Sequence, residues 1–366
     1  MKAAARLHPW SQRFNLKLLL LVLAIGLGIN LVGLSHLALA VRSALSPADL
    51  MLLLQLIGLL LLVLIPAAGI YSLVSEFAFW EGWLQGLPAA ATLFDRVPSA
   101  AGLHRCYVVY LDGIHQLERD HPPRVSAFLE LLEQQLAAET LLVRGLETYT
   151  VMPVALAEDA GSEWFWRRLF ALQEQHPNRL VQLLAAVLVQ ANNVIKVGIS
   201  SDRRYGPILN YELALKISLR LAETGFRPDA GSRIVLTGYS GGAEMAMGVA
   251  DYLRRITRAP ISIISFCGVF SGNQVLDQLA GITTIVGSKD PVAAFGRIAY
   301  PGRSPLLPLS NWNKALAAGR IQRPVIDGMN HNGSRGPFSE AFRPRVIKAI
   351  LVALESPAVA PEQTGC

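Results

Sequence analysis

The sequence is poor in charge and in cysteine. Only 16% of its 366 residues are Asp, Glu, Lys or Arg, against about 25% in an average soluble chain. Mean hydropathy is +0.37 and 52% of the residues are hydrophobic, a balance that sets the chain apart from ordinary soluble proteins and points to a membrane. The three cysteines, Cys106, Cys267 and Cys366, have neither a paired framework nor metal-ligand spacing, which excludes a disulfide scaffold and a cysteine metal centre. Cys106 and Cys267 fall in strand-like runs and read as buried thiols, in agreement with a reducing compartment. There is no internal repeat, phosphate loop, metal motif, nucleic-acid module or dense basic stripe, so neither a cofactor nor a nucleic-acid partner is expected. Of the formal net charge of +6, four positive charges (Lys2, Arg6, Arg13 and Lys17) belong to the N-terminal tail, which suits anionic lipid headgroups.

Long apolar runs are what the chain has instead. Residues 18–41 and 50–74 carry no charged side chain. At about 1.5 Å per residue, each run is long enough to span a hydrocarbon core of about 30 Å. The eight residues between them, with Arg42 and Asp49, are short enough to force a hairpin. A domain of residues 1–90, a basic tail and two transmembrane helices, is therefore expected ahead of a domain of residues 91–366. Basic residues precede the first span and the loop is near neutral, which keeps both the N-terminus and the second domain on the cytoplasmic side of a plasma or inner membrane. A signal peptide ending near Ala38-Leu39-Ala40 is the rival reading, but the run is too long for one and a second run follows at once. Trp80 and Trp83 fit an interfacial belt or domain packing equally.

Residues 234–237, Ile-Val-Leu-Thr, are a β-type run that breaks into Gly238-Tyr239-Ser240-Gly241-Gly242, and a helical pattern follows from Ala243 to about Arg255. Strand, sharp turn and helix with a serine at the apex make a nucleophile elbow, in which flanking glycines avoid Cβ clashes. A serine needs a base, and the base an orienting acid. Downstream, the β-branched run at 282–286 ends in Gly287-Ser288-Lys289-Asp290-Pro291. A short strand at 324–327 then opens into Gly328-Met329-Asn330-His331-Asn332-Gly333. Ser240 is expected as nucleophile, His331 as general base then acid, and Asp290 as the orienting carboxylate. Asp290 before Pro291 also reads as a helix cap. Asp277, read as a helix-surface carboxylate, and Asp327, close to His331 in the same turn, are rival acids.

These motifs resemble the α/β-hydrolase superfamily over residues 104–355. The resemblance implies an α/β fold with a mostly parallel sheet flanked by helices. There is no room for two further strands before Tyr107, so the sheet is expected to be shortened at that edge, somewhat like the cutinase-type members. By the same resemblance the oxyanion hole uses the backbone N–H of Gly241 and one from the loop after the first strand, Asp112-Gly113-Ile114, with Ile114 as donor. Aspartate stands there in place of the family's histidine, and His115 beside it is a pocket wall or without role. Between the strands and the elbow, residues 141–145 read as a second strand, 180–189 as an apolar helix and 193–199 as a strand or helix end. Residues 205–208 read as a turn before a helix at 211–223. An insertion at about 160–195, with its Trp and Arg cluster at 163–170, is a helical lid or a scaffold helix.

The resemblance implies a serine hydrolase that cleaves an acyl ester through an acyl-enzyme, with a lipid ester or thioester favoured by the membrane anchor and the bilayer as partner. The alternatives are an inactive hydrolase-shaped scaffold and an acyltransferase using the same nucleophile.

Overall fold

The computed structural model describes residues 104–116, 121–149, 178–202, 206–228 and 230–355, with Met51, Gln55, Gly58, Leu93, Phe94 and Leu172 besides. Met51, Gln55 and Gly58 are helical and exposed. Apart from these three positions, the expected spans at 18–41 and 50–74 lie outside the described residues. So do Trp80, Trp83 and the Trp and Arg cluster at 163–170. Among the described residues no helix is long and apolar enough to cross a membrane.

Two compact units are present, one made of residues 1–85 and 151–198, the other of 86–150 and 199–366. A long helix, α2 (Arg179–Ser201), belongs to the first unit as far as Gly198 and buries Ala185, Val189, Asn192, Ile195 and Val197 there. It runs unbroken through 193–199, so the strand alternative for that stretch does not hold.

The second unit is built on a sheet whose strand pairings are all parallel. Its strands are β1 (Cys106–Leu111), β2 (Thr140–Val143), β3 (Arg233–Tyr239), β4 (Ile261–Phe266), β5 (Gly281–Gly287), β6 (Ile321–Gln322) and β7 (Val325–Ile326). The order is β2-β1-β3-β4-β5-β6, and β7 continues the same edge by pairing with the end of β5. Helix α1 (Pro123–Gln135) crosses from β1 to β2, α3 (Gly206–Glu223) precedes β3, and α4 (Gly242–Thr257) joins β3 to β4. Helices α5 (Pro291–Ala299) and α6 (Asn311–Ala317) lie between β5 and β6, and α7 (Arg343–Glu355) closes the chain. All six residues of β1 are buried, as are all but the first of β3. A strand covered on both faces reads as a continuous apolar run, and the helical crossovers supply those covers.

Helix α3 starts at Gly206, five residues ahead of the expected start. The turn expected at 205–208 is its first turn from Gly206 on, with Pro207 at a position that needs no N–H donor. Between β4 and β5 the chain has no helix, and the stretch around Asp277 is a turn. The helix-surface reading of Asp277 is therefore corrected. Nearly all residues before His104 lie outside the described ones, and the expected short edge with them. From β1 the chain moves outward to β2 on one side and returns to β3 on the other. The strand order thus reverses between β1 and β3, the kind of crevice at which parallel α/β sheets bind ligands.

Candidate active site

The C-terminal end of β3 enters that crevice. Ser240 follows β3 directly with φ of 51°, a left-handed conformation that a non-glycine residue rarely adopts without a functional reason. The glycines two residues either side are required sterically. A Cβ on Gly238 would come within 2.7 Å of Ala243 Cα and N, and one on Gly242 would overlap the carbonyl oxygens of Leu111 and Asp112. Helix α4 therefore starts against both its own strand and the end of β1. Gly241 is its N-cap, so its N–H has no carbonyl partner within the helix.

Three side chains from distant loops converge on this turn. Ser240 Oγ lies 3.0 Å from His331 Nε2. His331 Nδ1 lies 3.0 Å from each Asp290 oxygen. All three residues are buried. With Nδ1–H donated to the carboxylate, Nε2 is the acceptor facing the serine hydroxyl. Asp290 also caps α5, accepting the Ala293 N–H at 2.9 Å, so the cap reading and the partner reading of this residue hold together. Burial pushes the Asp290 pKa up. The hydrogen bond from His331, the imidazole's charge and the Ala293 N–H outweigh that, and the carboxyl titrates below its ordinary value. The other two acids stand apart: Asp277 is exposed, and Asp327 is an exposed acceptor for Ser288 Oγ at 2.8 Å.

The loop after β1 lies against the elbow. A Cβ on Gly113 would meet the Tyr239 ring at 2.9 Å and Ser240 Cβ at 3.3 Å. Asp112 organises this loop. Its carboxylate accepts from Tyr110 Oη at 3.0 Å, from Gly113 N–H at 2.8 Å and from His121 Nδ1 at 2.9 Å. Gly145 N–H donates to His121 Nε2 at 3.3 Å, which fixes the neutral tautomer with its proton on Nδ1. Tyr149 Oη donates to the Asp112 carbonyl at 3.1 Å, and Asp112 N–H to Thr148 Oγ1 at 3.1 Å. Ile114 is half-buried next in the loop. Desolvation of its ring lowers the His115 pKa, with the Asp112 carboxylate opposing the shift and the His331 imidazole adding to it.

Several participants escaped the sequence reading. Tyr239, the variable residue of the elbow, stacks on the His331 ring at 5.5 Å between centroids. His121 lies in a polar stretch with no motif, and Asp112 directly after β1 is its one hint of a partner. Cys267 follows β4 with φ of 50°, and its Sγ lies with the ligand atoms of Asp290 and His331 inside 4.8 Å. Those two are already bonded to each other, and burial pushes the Cys267 thiol up. A protonated thiol is a poor metal ligand, so the group fits a hydrogen-bonded site better than a cation cage.

No family model and no curated protein matches the chain. Among solved structures it is similar to a dienelactone hydrolase from Anabaena variabilis, at 18% identity and a TM-score of 0.32, over 70% of this chain and 88% of that one. At that score the likeness carries no weight for the site, and the reading rests on the chain's own geometry. A parallel sheet flanked by helices, with a serine elbow at its C-terminal edge, is consistent with the α/β-hydrolase fold.

Proposed function

We propose that the protein is a membrane-associated serine hydrolase acting on acyl esters, with lipid esters as the favoured class. The observation that carries this reading is the continuous Ser240–His331–Asp290 hydrogen-bonded chain, with the serine held at φ of 51°. Ser240 Oγ attacks the ester carbonyl while His331 Nε2 takes its proton. The oxyanion that forms is met by the Gly241 N–H, with the Ile114 N–H as second donor, each worth about 100- to 1,000-fold in rate. His331 then hands its proton to the leaving alcohol. Water, deprotonated by the same nitrogen, releases the acid and restores the serine. Asp290 stays ionised throughout, keeps the imidazole in the right tautomer and stabilises the imidazolium; its low pKa supports that role.

The membrane part of the reading is supported by the uncharged runs at 18–41 and 50–74 and the basic tail before them. Labelling by a fluorophosphonate probe tests the chemistry. The intact protein labels, Ser240→Ala does not, and His331→Ala labels more slowly by orders of magnitude. Asp290→Asn loses a large factor, and the Ser240→Ala, His331→Ala double variant hydrolyses little worse than either single one, because triad members act as a unit. Full ester hydrolysis by Ser240→Ala overturns the reading. Transfer of the acyl group to an added alcohol in excess of hydrolysis would make the enzyme a transferase.

A further inference from the structure

We propose that the loop at residues 304–310, with the cations around it, is a docking surface for an anionic phospholipid bilayer. The five residues 305–309, Pro-Leu-Leu-Pro-Leu, are all exposed. Leu306 is 87% exposed, Leu309 80% and nearby Ile298 76%. Apolar side chains displayed together on a surface mark an interaction site. They are held out by design of the backbone: Asn313 Nδ2 donates to the carbonyls of Ser304 at 2.7 Å and Leu307 at 2.8 Å. Ser304 Oγ accepts the Leu306 N–H at 3.3 Å, and Ser310 Oγ accepts the Asn313 N–H at 3.2 Å. The two prolines stiffen the tip further. Such a projecting tip fits insertion among acyl chains better than packing into a protein groove.

Charge selects the occupant. From Pro291 to Ile326 the chain holds five basic residues and no carboxylate. Arg297, Lys314 and Arg323 are exposed. Arg297 lies within electrostatic reach of Arg323, and both lie within reach of the buried Arg303; burial first and these like charges second lower the pKa values of Arg303 and Arg323. Exposed cations on a segment that carries no carboxylate of its own, beside exposed leucines, match an anionic headgroup layer over an apolar interior.

The surface is tied to the serine. Arg303, at the loop's N-terminal end, lays its guanidinium 3.8 Å over the Phe270 ring and donates to the Phe270 carbonyl at 3.1 Å. Asn311, at its other end, donates to the carbonyls of Asn273 and Gln274 at 3.1 and 2.9 Å. That same post-β4 segment gives the Val269 N–H to the Ser240 carbonyl at 2.9 Å. A bilayer holding the loop is therefore linked to the elbow through the post-β4 segment.

The test places an environment-sensitive thiol probe at Leu306→Cys, Leu309→Cys or, as a control on α7, Val352→Cys. Cys366→Ser is the background; Cys106 and Cys267 are buried with raised thiol pKa values and stay unlabelled. The full-length protein is reconstituted in phosphatidylcholine nanodiscs with or without phosphatidylglycerol, and brominated lipid serves as quencher. Probes at 306 and 309 should be quenched at least twofold in anionic discs and much less in neutral ones, with the 352 probe unaffected. Arg297→Glu, Lys314→Glu and Arg323→Glu together should bring anionic quenching down to the neutral level. Unquenched probes at 306 and 309 overturn the proposal. So does equal shielding in lipid-free detergent, which would mean that the chain itself or a second copy covers the loop. The readout needs no turnover, so it stands apart from the outcome of probe labelling at Ser240.

Discussion

The Tyr239 hydroxyl donates to the main-chain carbonyl of His331 at 3.0 Å, tying the residue before the nucleophile to the residue that faces it. The Asn332 side-chain oxygen shares that hydroxyl. The same tyrosine ring stacks on the imidazole and meets Phe338 edge-on at 4.7 Å between centroids. The elbow thus holds the histidine loop through its own variable position, and the 3.0 Å gap between Ser240 Oγ and His331 Nε2 depends on it.

Tyr239→Phe keeps the stack and deletes the hydroxyl. Loss of one hydrogen bond of about 1 kcal/mol corresponds to roughly a fivefold change. We expect kcat to fall by about that factor with KM little changed, since the hydroxyl faces the loop rather than the substrate. Steady-state kinetics on a soluble ester measure both, and a change confined to KM would refute the positioning role.

Asp112→Ala leaves Tyr110 Oη, the Gly113 N–H and His121 Nδ1 without their shared acceptor. An abandoned buried donor costs about 1–3 kcal/mol, so a large loss of thermal stability is expected. His121→Ala is the milder probe, as Gly113 keeps its partner. It should slow acylation while leaving the protein folded, and stopped-flow acylation by an activated ester would detect the difference.

Gly242→Ala places a Cβ on the carbonyls of Leu111 and Asp112. Backbone on both sides leaves no flexible neighbour to yield. The variant should either fail to accumulate or lose probe labelling, whereas Gly319→Ala, open on all sides although at φ of 68°, should fold with a modest loss. Expression level and melting temperature separate the two.

Glu244, in the first turn of α4, is wholly buried and accepts from the Ser271 N–H and hydroxyl and from Gln274 Nε2. Burial raises its pKa to about 7 despite those bonds and the nearby Arg303. A folded-state pKa above the unfolded value of about 4.5 means that the folded protein holds the proton more tightly. Its contribution is therefore most favourable at pH below about 4.5, is lost as pH rises through about 7, and is flat above. The difference in melting temperature between the wild type and Glu244→Gln should change across that window and level off beyond it. A constant difference from pH 4.5 to 8 would contradict this sign.

The local pattern carried much of the site. A β-branched run breaking into Gly-x-Ser-x-Gly encodes a strand, a turn and a helix through backbone sterics alone, and the two required glycines at 238 and 242 are legible without any partner. The post-strand positions of Asp290 and His331 are legible for the same reason, because β-branched runs mark where strands end. Buried parallel strands such as Cys106–Leu111 announce themselves as unbroken apolar runs.

What the sequence by itself determined was therefore the identity of the turns and the order in which they come. Only the tertiary structure decided which of three candidate acids meets His331, since Asp277, Asp290 and Asp327 all lie in plausible loops and only Asp290 is brought to 3.0 Å. It also assembled Tyr239 with His331, Asp112 with His121, and Glu244 with Ser271 and Gln274. The first and last of these pairings join residues 92, 27 and 30 positions apart. The physical reason is that backbone preference acts over a few neighbouring residues, whereas a side-chain hydrogen bond between distant segments exists only after strand order and register have aligned the ends of β1, β3, β4 and β5 on one edge.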